Sequence, residues 1–525
     1  MLIARIYRMH GVRRSHFTLV YSIAALFSIL FSLWAAIKTS VINPDGICYL
    51  YSAAAMERFT IALHLCDQAK WPFYSILIFG FTKLTHLSFT VSAYFLDGFF
   101  SLISIITFIA IVNTLTHKIR IVVLAAIVIL LAHEFNSLRT EIIRDHGFWA
   151  FYLLSLFFVL QYFMGSARKF SQQKKYYQWC YALLWNMSLI IAALFRIEGI
   201  LFLLLLPFAV FADIRQTPMM RIKMFLQLNI MTCLGAIALF LWIILHPQQP
   251  LGRLAEVQFQ LMHGINEFVQ AFRQTTQALA THVLSVYSAR DASWIMIGML
   301  VSWYIFSVIS NISLIYAALI IYAWWKKLAD FSRETQGVLW AYILINVLIT
   351  TIFLVDNLFL AKRYLIALSL VLMLWVPFTL DYLITERYTR KWPLLLAVIL
   401  MIVYGLGGIF DFGHSKKYIR DGGDWLAMHA TAQQKIYSND YQILYYSNHF
   451  GNEIFSLGQE FQHLNTIAKG KWRQYDYLAL HVSKNELAQN TAILHEIKLT
   501  PLAVFQNDRG DQVQIYQIHP KKIKR

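Results

Sequence analysis

The chain is dominated by long, uncharged apolar runs separated by short stretches in which the charges collect. Phe17 to Ile37 is the first, preceded by Arg5, Arg8, Arg13 and Arg14. A run of roughly 20 apolar residues spans a bilayer as a helix, and in lipid a helix satisfies its backbone hydrogen bonds internally. A basic start before an apolar run also suits a secretory signal. This run, however, exceeds a signal's apolar core, and no small-x-small cleavage pattern follows. It therefore reads as an uncleaved first transmembrane helix. Further runs at 89–112, 121–131, 147–163, 179–194, 200–212, 225–245, 294–325, 338–355, 365–383 and 393–410 predict a mainly α, polytopic bundle of about eleven spans.

Composition excludes an ordinary soluble protein. The 525 residues are 58% hydrophobic and 14% charged, against roughly 25% charged in soluble domains. The formal charge of +17 suggests nucleic acid, but Lys and Arg cluster between the apolar runs, as the positive-inside rule requires. No nucleic-acid partner is therefore expected; the first partner is the bilayer. Placing Lys118 and Arg120, Arg168 to Lys175, Arg221 and Lys223, Lys326 and Lys327, and Arg387 to Lys391 on one side puts the N-terminus in the cytoplasm. It also makes the short runs 121–131 and 200–212 cross.

Two outer loops follow from this topology. In residues 38–88, the segments 47–59 and 71–84 suit helices lying in the interface. In residues 246–292, Val257, Leu261, Ile265, Phe268 and Phe272 recur at helical spacing, as in a surface or capping helix. Cys48 and Cys66 share the first loop and either pair there or remain two buried thiols; no cysteine spacing suits a metal. From His414 the composition becomes that of a soluble domain. Residues 1–413 are thus expected to form the membrane domain, and 414–525 a small α/β domain on the outer face, with strands near 435–438, 475–482, 502–505 and 513–518 and helices at 423–430, 441–447 and 486–494.

The acids gather on the predicted outer side. Asn43-Pro-Asp-Gly46 places Asp45 in a turn or N-cap opening the first loop helix. Glu141 and Asp145, four apart, are expected to share a helix face beside Arg144, and Arg196 and Glu198 occupy a tight apex. Asp97 is an acid inside a span, a functional candidate by default. Plainer readings stand beside these: Asp45 as a simple helix cap, Arg196 with Glu198 as a structural ion pair, Glu57 and Asp356 as solvated loop acids. His146 has no second ligand at i±4 and reads as a packing or hydrogen-bonding residue rather than a metal ligand.

Pro44-Asp45 with the following aromatic helix, Trp71-Pro-Phe-Tyr74, Arg144-Asp145-His146, Arg196-Ile-Glu-Gly199, Lys362-Arg-Tyr-Leu365 and Asp424-Trp425 through Ile436-Tyr-Ser-Asn-Asp440 form one set. Together they resemble the GT-C glycosyltransferases, the polytopic enzymes that use polyprenyl-phosphate sugars, among them protein O-mannosyltransferases and lipid A aminoarabinose transferases. Many members carry Asp-Glu in the first loop, whereas Gly46 follows Asp45 here.

The resemblance implies an inverting transferase that moves a hexose or pentose from a polyprenyl-phosphate donor to a hydroxyl of a glycan, lipid or protein acceptor. Phosphate is a good leaving group, so one base suffices: Asp45 is the expected catalytic residue. Arg139, Lys362 and Arg363 are the expected phosphate-binding residues, and Glu141, Arg144, Asp145, His146, Arg196 and Glu198 the expected substrate-binding ones. No residue is assigned to a metal, no cofactor beyond the lipid-linked donor is indicated, and a need for divalent metal is not readable. The expected location is the bacterial inner membrane, with the C-terminal domain periplasmic or extracellular. The alternatives are a glycolipid transporter or flippase, and a non-catalytic envelope assembly protein.

Overall fold

The computed structural model describes residues 11–58, 71–166, 172–212, 216–246, 253–386, 392–410, 412–450, 470–485 and 499–518. It comprises two compact units: Met1–Leu33 with Leu96–Arg139 and Arg144–Asp411, and Trp34–Phe95 with Thr140–Ile143 and Phe412–Arg525.

The chain opens with α1 (Gly11–Lys38), followed by α2 (Pro44–Ala55), α3 (Phe73–Thr85) and α4 (Phe89–Thr116). Pro44 opens α2, where a missing N–H is harmless and a fixed φ favours the helix. The N-cap is therefore Asn43; Asp45, expected at a turn or cap, lies inside the first turn. The two loop helices begin at Pro44 and Phe73 rather than at 47 and 71, and most of α2 is buried instead of resting on a surface.

In the larger unit, α5 (Ile119–Leu130) and α6 (His133–Ser137), the latter prolonged by a 3-10 turn (Leu138–Thr140), form a pair bent by 52°. Next come α7 (Asp145–Ser166), α8 (Gln172–Phe195) and α9 (Gly199–Leu205). At Pro207, which lacks an amide proton, the helix tightens into a 3-10 stretch (Leu206–Ala212). Helices α10 (Pro218–Leu245), α11 (Arg253–His282), α12 (Ala292–Ile312), α13 (Leu314–Lys326) and α14 (Arg333–Asn357) follow. Then α15 (Lys362–Leu372) runs through a 3-10 turn into α16 (Val376–Thr385), and α17 (Trp392–Phe410) ends the unit.

Among the described residues, eight helices are long and apolar enough to cross a membrane, or nine with the bent pair as one span. This is a multi-pass membrane protein. All eleven expected runs are helical, but Gly199–Phe211 and Leu394–Phe410 are shorter than a full span. The run expected to continue from Trp294 to Trp325 is broken at Ser313. Its φ of 83° stops α12, and its hydroxyl accepts from the Tyr316 amide to cap α13. The expected helix over the second outer loop is α11; the side chains of Val257, Leu261, Ile265 and Phe268 lie outside the described ones.

The helix from Lys362 to Thr385 is the most enclosed span, and α10 the least. Polar groups tie the inner helices together, as lipid gives little hydrophobic drive for association. Asn346 Nδ2 donates to Tyr152 Oη at 2.6 Å, Ser155 and Tyr342 pair at 2.8 Å, and the Tyr152 ring packs edge to face with Phe202 and Tyr342. Arg120 on α5 pairs with Asp381 and donates to Thr385 on α16.

In the smaller unit, β1 (Ile436–Ser438), β2 (Tyr477–Val482), β3 (Ala503–Gln506) and β4 (Gln512–Gln517) form one sheet of order β1-β2-β4-β3. β1 and β2 are parallel; the other pairs are antiparallel. Helix α18 (Lys417–His429) packs through consecutive glycines. A Cβ at Gly422 would meet Val513 at 2.8 Å, and one at Gly423 would meet Tyr446 at 2.5 Å. The short α19 (Tyr441–Tyr446) is capped by Asp440 and holds the first loop: Tyr446 Oη accepts from the Ile42 amide at 2.9 Å, and Gln442 donates to the Ile42 carbonyl at 2.7 Å. Cys48 is disulfide-bonded; Cys66, its expected candidate partner, lies outside the described residues, as does the expected helix at 486–494.

Candidate active site

The charged core of the larger unit is built at the start of α7 and the apex between α8 and α9. Asp145 opens α7, where a carboxylate faces the positive end of the helix dipole. Gly147 permits the close approach of α8, since a Cβ there would sit 2.3 Å from the Phe195 ring. Gly199 lets the chain turn back on Ala193, with a Cβ position only 2.7 Å from that residue's nitrogen.

The buried Arg196 is thereby placed between two acids. Its Nη1 donates to Asp145, its Nη2 to Glu198 Oε1 at 2.6 Å, and its Nε to Glu198 Oε2 at 3.4 Å. The guanidinium also lies 4.4 Å from the centre of the Tyr364 ring and 5.7 Å from that of Phe148. Burial alone would lower the Arg196 pKa, but the charges of Asp145 and Glu198 outweigh it and hold the group well above its ordinary value. Burial likewise works against ionised Glu198, yet the charge and hydrogen bonds of Arg196, helped by Arg144, bring its carboxyl down to about 2.

Arg144 differs from its neighbour. Its Nη1 is buried and has no hydrogen-bond partner among the described residues. A buried donor left unmatched is costly, so this nitrogen is the open position of the cluster.

A second group lies at the start of α15. Lys362 Nζ donates to buried Glu134 Oε1 at 2.6 Å, and Arg363 lies over the Tyr364 ring at 5.3 Å. Residues 362–364 thus reach both the Glu134 pair and the Arg196 cluster.

Two expected residues are held by other partners. Arg139 is buried, donating to Asn136, to the Ser28 carbonyl and to Ser32 Oγ at 2.5 Å; these bonds tie the turn after α6 to α1. His146 is fully buried between Ser101 Oγ and the Leu138 carbonyl, the packing and hydrogen-bonding surroundings that its lack of a second ligand suggests. The expected shared face of Glu141 and Asp145 is not formed: residue 141 lies in a bend, and the helix starts only at Asp145.

In the smaller unit, Asp45 is half-buried in the first turn of α2. The turn is clasped by Asn43, whose side chain accepts from the Ile142 amide at 2.9 Å and donates to the Ile142 carbonyl at 3.3 Å. Gly46 fits inside the clasp. A Cβ there would stand 2.6 Å from Asn43 Oδ1 and 3.0 Å from Ile142 Cβ, which explains why no second acid follows Asp45. Residues 140–143, including Glu141, belong to this same unit.

Glu134 and Asn311 escape sequence reasoning, and Tyr364 enters it only inside the Lys362-Arg-Tyr-Leu365 motif. A signal existed for Glu134, an acid set between apolar runs. Among the described residues, no three His, Cys, Asp or Glu side chains are grouped to hold a metal.

The arrangement is that of a polytopic membrane protein with a charged, partly buried site at its helix ends. Over nearly its whole length it shares its fold with solved membrane proteins. It matches the structure of ArnT from Cupriavidus metallidurans bound to undecaprenyl phosphate, with a TM-score of 0.54 at 13% identity, over 96% of this chain and 98% of that one. The Archaeoglobus fulgidus oligosaccharyltransferase AglB, in complex with an inhibitory peptide and a dolichol-phosphate, gives 0.53 at 10% identity, over 90% of this chain and 70% of that one. The oligosaccharyltransferase of the same organism tethered to an acceptor peptide gives 0.55 at 10% identity, over 96% and 74%. No family model and no curated protein sequence matches the chain.

Proposed function

We propose that this protein is an inverting glycosyltransferase, which takes a sugar from a polyprenyl-phosphate donor at the outer face of the bacterial inner membrane and passes it to an acceptor hydroxyl. One observation carries the reading: a buried guanidinium nitrogen, Arg144 Nη1, has no partner among the described residues, while the neighbouring Arg196 is neutralised by two acids. A donor phosphate supplies the acceptor atom that Arg144 lacks. The fold supports the same conclusion, since ArnT is bound to undecaprenyl phosphate and AglB to a dolichol-phosphate.

In the proposed reaction, the acceptor oxygen attacks the anomeric carbon from the face opposite the phosphate. The carbon–oxygen bond to phosphate breaks, polyprenyl phosphate leaves with the electron pair, and Asp45 takes the acceptor proton. Arg144, Lys362 and Arg363 stabilise the charge growing on the leaving phosphate. Arg196 holds Asp145 and Glu198 so that these acids orient sugar or acceptor hydroxyls, and Arg139 and His146 support the fold around them. Glu141 remains a candidate for binding the acceptor.

Mass spectrometry of envelope lipids and glycoproteins from cells with and without the gene tests the reading. Loss of a defined sugar substituent is expected; identical profiles, with donor lipid unchanged in amount, overturn it.

A further inference from the structure

We propose that Glu134 is a positioning residue for Lys362, and that a glycine step on α17 sets where Glu134 stands. The phosphate-binding role of Lys362 rests on the reading above. Lys362 is fixed at two points: its backbone carbonyl accepts from Asn311 Nδ2 at 2.8 Å, and its ammonium donates to Glu134 at 2.6 Å. Asn311 is itself held by Ser369 at 2.6 Å, and Glu134, Asn311 and Ser369 line one small pocket. The Lys362 side chain is 60% exposed and that of Glu134 only 5%, so the carboxylate is the fixed member of the pair. An ammonium has three N–H groups, and an anion on the open side can be held without releasing Glu134.

The position of Glu134 depends on the bend between α5 and α6. Helix α17 lies directly on the backbone of that bend. A Cβ at Gly408 would fall 2.4 Å from the His133 carbonyl oxygen, and one at Gly405 2.8 Å from that of Leu131. His133 Nδ1 lies 2.7 Å from the Tyr404 carbonyl oxygen, with the two rings 4.2 Å apart. A side chain at 408 must displace residue 133, and Glu134 is the next residue. Moving a buried carboxylate off its cation is costly, so Lys362 is left mispositioned rather than simply freed.

The test uses the full chain in lipid nanodiscs with two readouts: modification of Lys362 by an amine-reactive ester, and binding of undecaprenyl phosphate against uncharged undecaprenol. E134Q and G408A are expected to raise Lys362 labelling severalfold and to weaken undecaprenyl phosphate binding about 10-fold, the lower end for a charged hydrogen bond, with undecaprenol unaffected. E134D is expected to restore both, and E134Q to add nothing in a K362M background. G408V, which can fail to fold, serves only as a more severe form of G408A. Unchanged labelling in E134Q, or losses for E134Q and K362M that multiply, overturn the proposal. If the wild type does not distinguish undecaprenyl phosphate from undecaprenol, the lipid-phosphate reading fails, while the labelling still decides the role of Glu134.

Discussion

Arg196 and Tyr364, from two distant parts of the chain, meet with the guanidinium 4.4 Å from the ring centre, while every nitrogen of that guanidinium donates to Asp145 or Glu198. Arg196 is therefore the keystone of a neutralised group, not its open cation. The open donor belongs to Arg144, one residue before the start of α7.

If Arg144 receives the donor phosphate, Arg144→Gln raises the KM for the polyprenyl-phosphate sugar roughly 10- to 100-fold, the value of a charge-assisted hydrogen bond. Arg144→Lys recovers part of it, because a point charge replaces a planar fork. Steady-state kinetics in detergent or nanodiscs checks this; an unchanged KM for both variants removes Arg144 from the site.

Asp45→Asn is expected to fold normally and to lose transfer by about 100-fold or more in kcat, the usual effect of deleting a general base. Donor binding should stay near wild type. A mutant with full turnover removes Asp45 from the mechanism.

Gly46→Ala tests the clasp between Asn43 and Ile142. The added methyl meets Asn43 Oδ1 and should cost about 1–3 kcal/mol by overpacking. Asn43→Ala, which deletes both bonds to Ile142, should cost a similar amount. Because both act on one contact, the double mutant should be little worse than either single mutant in thermal unfolding.

Acid should loosen the Arg196 group. Glu198 has a folded pKa of about 2 against an ordinary value of 4.5. The lowered value means that its contribution to stability is complete above pH 4.5 and is lost as the pH falls from there towards 2. Thermal melts across this range should show Glu198→Gln less sensitive to acid than wild type; parallel curves refute the assignment.

Much of the helical architecture was legible from the apolar runs, because such a run in lipid has few alternatives to helix. The strands of the C-terminal sheet were also legible within a residue or two, from β-branched and aromatic runs between turn residues. The break at Ser313 was not. Apolar residues continue on both sides, and a positive φ at a serine leaves no mark on hydropathy. Glu141 was misread for a related reason, since a four-residue spacing implies a shared face only where a helix exists.

Residue order alone pointed to a helical membrane bundle and a C-terminal α/β sheet, and marked Arg144, Asp145, Arg196, Glu198 and Lys362 as charges close to helix ends. Which of those charges are neutralised and which stay open was settled only by packing. Glu198 lies only two positions from Arg196, but its other partner, Asp145, lies 51 positions away, and Glu134, the partner of Lys362, lies 228 away. A contact at such separation is set by how glycine faces such as Gly147 and Gly408 let helices approach, and local hydrophobic patterns carry no record of that.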